Sequence, residues 1–399
     1  MPELIPTLAE GTRLLAAFTP RMGRRYANGR NTDHGPGAHK SVSSLSPYIR
    51  RRLVLEQDAV AAALAAHGPI EAEKFVQEVI WRGYFKGWLE RRPQVWISYR
   101  NGLEADLAAL DRDRRLRRDL ARAMNGETGL ECFDAWAREL VDTGYLHNHA
   151  RMWFASIWIF TLGLPWRLGA DFFYRHLLDG DAASNTLGWR WVAGLHTRGK
   201  PYPADAQNIA TFTAGRFNPR QADLAEVTQG LEATEPEGLP SVQPLRAITP
   251  PQPGAPSALL LTDEDCRLED FDITSLDIRT AATLTASHLR SPLPTSDLVQ
   301  GFELGALADA ATRAGASTTH GRKSDGKTQP LTMVVQLGGV DPEEFGRRVR
   351  PLLHGRFLFA SDCLGAEIAA ARARGEWGIP RQLISMFWSM PWDPTRVTI

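Results

Sequence analysis

The sequence predicts a mainly α protein with a smaller α/β part at its C-terminal end, and three observations carry that prediction. Upstream, large apolar residues recur at spacings of three and four, as in "AEKFVQEVIWRGYFKGWLERR" and "GLECFDAWARELVDTGYL". That is the period of helices burying one face. Residues 234–257, "TEPEGLPSVQPLRAITPPQPGAPS", are dense in proline, which removes backbone donors and fixes φ, so a linker is expected there. Beyond it, the short apolar runs "SALLLTD", "LTMVVQLGG", "GRFLFASD" and "LISMFW" alternate with helix-like "GFELGALADAATRAGA", "DPEEFGRRVRPLL" and "LGAEIAAARARG". Such alternation implies a parallel sheet with crossover helices.

The expected organisation is therefore an all-helical domain at 1–233, a linker at 234–257 and a Rossmann-like α/β domain of unassigned role at 258–399. The last has no GxGxxG or GxxxxGK[ST] loop, so no nucleotide site is assigned to it. A chain of 399 residues with 43% hydrophobic content can bury a full core and fill two domains. Lys+Arg and Asp+Glu both number 46, so a polyanion would have to be met by a local basic patch. "PRMGRRYANGR" (20–30), "RRR" (50–52) and "RDRRLRRDLAR" (112–122) are the candidates, each also readable as a solvated helix face. Cys132, Cys266 and Cys363 lie far apart without CxxC spacing, which argues against a disulfide framework, a zinc site or a four-cysteine cluster. The N-terminus lacks a charged-then-apolar signal pattern. The run "MWFASIWIFTLGLPW" is too short to span a bilayer. A cytoplasmic, monomeric protein without a membrane partner is expected.

Nine of the twelve tryptophans (81, 88, 96, 136, 153, 158, 166, 189, 191) fall between residues 81 and 191. Any single one reads as core. Together they suit stacking on flat heterocycles and the passage of single electrons. The stretch "LDGDAASNTLGWRW" (178–191) adds two carboxylates and an amide among these indoles. Read as a calcium loop it fails, because its sixth and twelfth positions hold Ser184 and Arg190 rather than glycine and glutamate. No metal is expected. Asp181 or Ser184 can instead cap the following helix.

The segment "TGYLHNHARMWFASIWIFTLGLPWRLGADFFYRHLLDGDAASNTLGWRWVAG" resembles the flavin-binding core of the photolyase/cryptochrome family, with similarity running from Tyr26 to Tyr202. The resemblance implies an all-helical domain holding FAD in a folded-back conformation at the base of a cavity. "SVSSLSPYI" is similar to the family's phosphate-binding turn, which implies Ser41, Ser43, Leu45 and Ser46 at the cofactor, with Tyr26 upstream and Val42 where the family has threonine. Backbone N–H groups and hydroxyls at a helix start suit a pyrophosphate. "FVQEVIWRGYF" resembles the family's Glu-x-x-Trp-Arg helix, with Phe75 also at the cofactor, Glu78 bonding the lesion base, Trp81 stacking beside it and Arg82 near the flavin phosphates. Gly83 stands where the family has glutamate.

By the same resemblance, "HNHARMW" supplies Asn148, Arg151 and Met152, and Asn148 with Met152 favours cyclobutane-dimer chemistry over the paired-histidine chemistry of (6-4) repair. Asp179 is implied opposite Arg151, Asp181 at the flavin's polar edge or ribityl chain, and Asn185 facing flavin N5. Trp191 lines the lesion pocket across from Trp81. Trp189 begins an electron relay, Trp166 continues it, and Trp96 is the candidate third step. The implied catalytic set is Glu78, Asn148, Met152, Asn185, Trp189 and Trp166. The implied activity is light-driven, FADH⁻-dependent splitting of pyrimidine dimers in damaged DNA, a deoxyribodipyrimidine photo-lyase. The alternative is a cryptochrome-like blue-light photoreceptor without repair. Two departures accompany the match: Tyr26 comes too early for the α/β antenna domain that opens the family, so an atypical member lacking it is expected, and "LHTRGKPYPADAQNIATFTAGRFNP" replaces the usual ending.

Overall fold

The computed structural model describes residues 4–226, 228–244, 256–267, 277–284, 291–313 and 331–334. The helical part begins with α1 (Leu8–Phe18), whose first turn is capped by the Thr7 hydroxyl accepting from the Glu10 N–H. Then come α2 (Arg24–Gly29) and the five-residue α3 (Ser46–Arg50). α4 (Glu56–Glu71) is kinked where Gly68 takes φ 69° ahead of Pro69. The long α5 (Glu73–Glu90) and α6 (Pro93–Leu110) follow. α7 (Arg114–Asn125) starts at Asp113, whose carboxylate accepts from the N–H groups of Arg115 and Leu116. α8 (Glu131–Thr143) stops at Gly144, in the left-handed region at φ 66°. α9 (Asn148–Ser156) runs through a π turn (Ile157–Thr161) and is followed by α10 (Trp166–His176), α11 (Ala182–Val192) and α12 (Ala206–Phe212).

These helices bury two apolar clusters. One holds Phe18, Tyr26, Leu45, Tyr48 and Phe75, and the other holds Trp136, Trp153, Phe154, Trp158, Trp166 and Trp189. α11 belongs to both: Ala183 and Leu187 face the first, Trp189 and Val192 the second. Gly169 on α10 makes this possible, since a Cβ there would stand 2.3 Å from the Trp189 ring.

The α/β part contains β1 (Pro256–Thr262), β2 (Asp277–Leu284), α13 (Asp297–Arg313) and β3 (Leu331–Val334). The strands pair in parallel in the order β1-β2-β3. "SALLLTD" falls on β1, the first four residues of "LTMVVQLGG" form β3, and "GFELGALADAATR" lies within α13, the remainder of the last two runs lying outside the described residues. "GRFLFASD", "LISMFW", "DPEEFGRRVRPLL" and "LGAEIAAARARG" lie outside the described residues. β2, "DIRTAATL", carries no apolar run, and its sequence gives no strand signal of its own. Within 234–257, Glu235 pairs with Arg190 through two contacts of 2.6 Å, the Gln243 N–H donates to the Arg91 carbonyl at 2.8 Å, and Pro256 already begins β1. Val299, Phe302, Ala306, Leu307 and Ala310 of α13 join the same cluster as Phe18 and Tyr48. The two parts therefore share a core.

One expected basic patch is corrected here. "RRR" is not a surface feature: Arg50, Arg51 and Arg52 are 1%, 0% and 7% exposed. Arg51 lies 2.9 Å from the buried Glu303 of α13 and 3.9 Å from Asp263. Removing one partner of a buried pair strands the other charge. Arg51→Ala is accordingly expected to lower stability by about 3–5 kcal/mol, measured by denaturant unfolding; a loss near zero would show that this pair does not hold α13 to the helical part.

Candidate functional site

The site is built where α3, α5, α9 and the start of α11 converge. Asp179 precedes α11 and sits 2.9 Å from the Arg151 guanidinium, whose Nε donates to the Leu146 carbonyl at 2.8 Å. Burial opposes the charge on Asp179, but Arg151, the Ser46 hydroxyl and Arg82 outweigh it and hold the carboxyl below its usual range. The expected Arg151–Asp179 neighbours thus stand together in the structure.

Asp181 is the N-cap of α11, with Oδ1 accepting from the Ser184 N–H at 2.8 Å. Its Oδ2 stands 3.9 Å from both Arg50 and Arg82. Burial disfavours its charge, yet Arg82, Lys86 and Arg50 together pull it far below the ordinary carboxylate range. Arg82 in turn lies 3.5 Å from Glu56. These are ion-pair distances without hydrogen bonds: Arg82 Nε and Nη2, Arg50 Nη1, Asp179 Oδ1, Ser184 Oγ and Glu56 Oε1 are all buried and unsatisfied. A buried donor left without a partner costs about 1–3 kcal/mol. A set of such donors and acceptors around one floor fits a polar, anionic cofactor with ribityl and phosphate groups.

On α11, Asn185 Nδ2 donates to the Ala170 carbonyl at 2.7 Å. Only the amide nitrogen can donate to a carbonyl, so the flip state is fixed and Oδ1 is left as the acceptor. Trp189 is buried among Phe173 (centroids 5.1 Å), Trp158 (6.1 Å) and Phe154 (6.5 Å), with its N–H unpaired. Trp166 is also buried with an unpaired N–H. Its ring lies 5.7 Å from Tyr99, which stacks on Trp96 at 5.2 Å. Tyr99, which the sequence reading does not single out, thus has its ring between those of Trp166 and the half-buried Trp96.

Glu78 forms a 2.6 Å ion pair with Arg30, and its surroundings raise its carboxyl against the pull of Arg30 and Lys74. Tyr26 packs edge-on to Phe75 at 5.2 Å, and burial raises its phenol. Phe75 and Leu45 are core side chains. The Ser43 hydroxyl accepts from the Leu45 N–H at 3.3 Å, and Ser41 lies 3.4 Å from His34. Asn148 is exposed and Met152 half-buried on α9. Trp81 contacts Tyr84 and Phe85, while Trp191 contacts Tyr202. Asp33, His39 and Glu139 gather within 4.8 Å, unforeseen from sequence because Glu139 on α8 lies a hundred residues beyond the loop that carries the other two. Asp33 already accepts from Gly35, Trp136 and Arg216, which makes it a brace for the loop after α2.

Comparison with known proteins adds the following. A family profile described as the FAD binding domain of DNA photolyase matches residues 75–220. Similar curated proteins include deoxyribodipyrimidine photo-lyases of Streptomyces griseus (35% identity over 204 residues, 50% of this chain and 42% of that one) and Thermus thermophilus (36% over 190 residues, 47% and 43%). The match spans less than half the length of these relatives. Among solved structures, a class III photolyase from Agrobacterium tumefaciens aligns with 25% identity and a TM-score of 0.44, covering 52% of this chain and 43% of that one. A Synechocystis cryptochrome aligns with 22% identity and a TM-score of 0.42, with the same coverages of 52% and 43%. No helix among the described residues is long and apolar enough to cross a membrane.

His147 ties the site to pH. Its Nδ1 accepts from the His149 N–H at 3.2 Å, so the neutral ring carries its proton on a buried, unpaired Nε2. Burial pushes its pKa down to about 4. The unfolded ring titrates near 6.5, so its contribution is whole above that pH and disappears as pH falls toward 4. The loss should reach about 3 kcal/mol, read as a falling thermal midpoint over that window. His147→Asn keeps an N-cap acceptor and should flatten the fall; an unchanged profile in that variant would assign the effect elsewhere.

Proposed function

Through residues 75–220 this chain belongs to the photolyase/cryptochrome family and carries its FAD-binding domain, and from that premise we propose that it is a light-driven DNA repair lyase that splits cyclobutane pyrimidine dimers. When bound, FAD supplies the photochemical single-electron step, and the protein supplies binding, orientation and electrostatics. The observation that carries the repair reading over a signalling one is Asn185. Its amide nitrogen is engaged by the Ala170 carbonyl, which leaves a neutral oxygen, not a carboxylate, to meet the flavin ring in the proposed complex. A neutral acceptor there holds a ring N–H without adding repulsion to a reduced, anionic flavin.

The remaining roles follow from chemistry on the same floor. Arg151 and Asp179 brace each other, and Asn148 and Met152, on the same helix as Arg151, are the proposed contacts to the lesion. Glu78, whose carboxyl is raised by burial against the pull of Arg30 and Lys74, is the group proposed to hydrogen-bond the lesion base. Trp81 and Trp191 offer flat faces for a flipped dinucleotide, whose extrusion costs a few kcal/mol. Trp189, Trp166, Tyr99 and Trp96 form the path for re-reduction. The exposed arginines of α7, not the buried "RRR", supply sequence-independent phosphate contacts, weakened by salt. The chain acts on damaged DNA as a cytoplasmic monomer, with residues 1–233 as the catalytic domain.

Two measurements test this. Blue light on the FAD-loaded protein with a dimer-containing oligonucleotide should restore thymine ultraviolet absorbance; bleaching of the flavin without thymine recovery would make the chain a blue-light sensor. Asn185→Asp should retain FAD yet slow photobleaching of its visible band by a thiol on the order of tenfold, through loss of one neutral hydrogen bond and gain of a charge. Equal rates in the two proteins would remove Asn185 from that role.

A further inference from the structure

The turn expected to hold the cofactor phosphates runs through α3 straight into Arg50, Arg51 and Arg52, all buried. A buried guanidinium needs an opposite charge close by. Here those charges arrive from far along the chain. Arg50 Nη2 bonds Glu264, 214 residues away; Arg51 bonds Glu303; and Arg52 Nε lies 3.2 Å from Asp265. The Cys266 N–H donates to the Arg51 carbonyl at 2.9 Å and closes the contact between backbones. None of these acids lies in the segment matched to the FAD-binding domain, residues 75–220.

Arg50 looks both ways. Its Nε donates to the Gly180 carbonyl at 2.7 Å and stands 3.9 Å from Asp181 Oδ2, on the floor shared with Asp179. Its Nη1 is buried without a hydrogen-bond partner. The guanidinium is a rigid planar fork, so fixing Nε and Nη2 also fixes where Nη1 points. Glu264 is one of the two pins. At 52% exposure it contributes little packing of its own, and its carboxylate is engaged with Arg50.

We propose that Arg50 is a further FAD-binding residue, that Glu264 positions it, and that the acidic turn Asp263–Asp265 of the α/β part thereby completes the cofactor site of the helical part. The inference rests on the FAD reading above. The free Nη1–H is a charged donor for the cofactor's oxygens, on a guanidinium whose Nε stands 3.9 Å from the same Asp181 oxygen that Arg82 approaches. The α/β part thereby becomes a wall of the site, although no flavin contact by its own side chains is required.

The test uses the full chain. FAD is titrated into FAD-free wild type, Glu264→Gln, Glu264→Asp and Arg50→Lys while quenching of flavin fluorescence is followed, and the thermal midpoint of each FAD-free protein is recorded. Glu264→Gln should bind FAD about tenfold more weakly with its FAD-free midpoint unchanged. Glu264→Asp should recover part of the affinity, and Arg50→Lys, which keeps the charge but loses the fork, should not. Equal FAD affinity in wild type and Glu264→Gln overturns this inference alone. So does a weakening accompanied by a comparable fall in the FAD-free midpoint, which marks a structural role only. A wild type that takes up no FAD overturns the FAD reading and this inference with it.

Discussion

Two buried carboxylates at the head of α11 organise this molecule. Asp179 and Asp181 are separated by one glycine, and both are withdrawn from water. Carboxylates so placed must be neutralised or protonated, and here they are neutralised from several directions: Arg151 from α9, Arg82 from α5 and Arg50 from α3. The consequence is geometric. Helices distant in sequence are drawn together, and Arg82 Nε and Nη2, Arg50 Nη1, Asp179 Oδ1 and Ser184 Oγ remain buried without a hydrogen bond. Such a concentration of charge would weaken an ordinary core. It is consistent with a floor whose remaining valences belong to a polar ligand.

Packing supplies the rigidity those charges need. α11 carries Asp181, Asn185 and Trp189 on successive turns, and its apolar residues are divided between the two clusters. The helix therefore has little freedom to rotate, and the Asn185 amide inherits that constraint through Ala170 of α10. The same closeness of α10 and α11 requires Gly169, because any side chain there would meet the Trp189 ring. One missing Cβ thus sets the position of an indole that the redox reading needs.

Much of this was legible in the sequence, and the part that was not has a common physical cause. The helical period, the parallel α/β alternation and the capping character of Asp181 are local signals, and the family motifs span only short windows. Arg50, Arg51 and Arg52 illustrate the failure: a basic triplet reads as surface because its partners Asp263, Glu264, Asp265 and Glu303 lie beyond the proline-rich stretch. Nothing in sequence spacing pairs them. Tyr99 was missed for a different reason. Among so many tryptophans a lone tyrosine carries no pattern, and only ring geometry shows it between Trp166 and Trp96. β2 was missed because "DIRTAATL" alternates neither in polarity nor in size.

The proline-rich stretch also explains how a contact made of partly exposed ion pairs can hold. The Arg50–Glu264 pair joins a buried guanidinium to a half-exposed carboxylate, and a pair open to solvent on one side gives too little to bring two free domains together. Here the partners are tethered. Glu235 and Gln243 fix the upstream end on the helical part through Arg190 and the Arg91 carbonyl. β1 is covalently joined to that end, so docking is an intramolecular step at high effective concentration. Under that condition the apolar face of α13 and the buried Arg51–Glu303 pair supply the affinity. The weaker Glu264 contact is then left to orient Arg50. A contact that orients without holding can be altered while the fold survives, and this separation of tasks is what makes the role of the α/β part accessible to experiment.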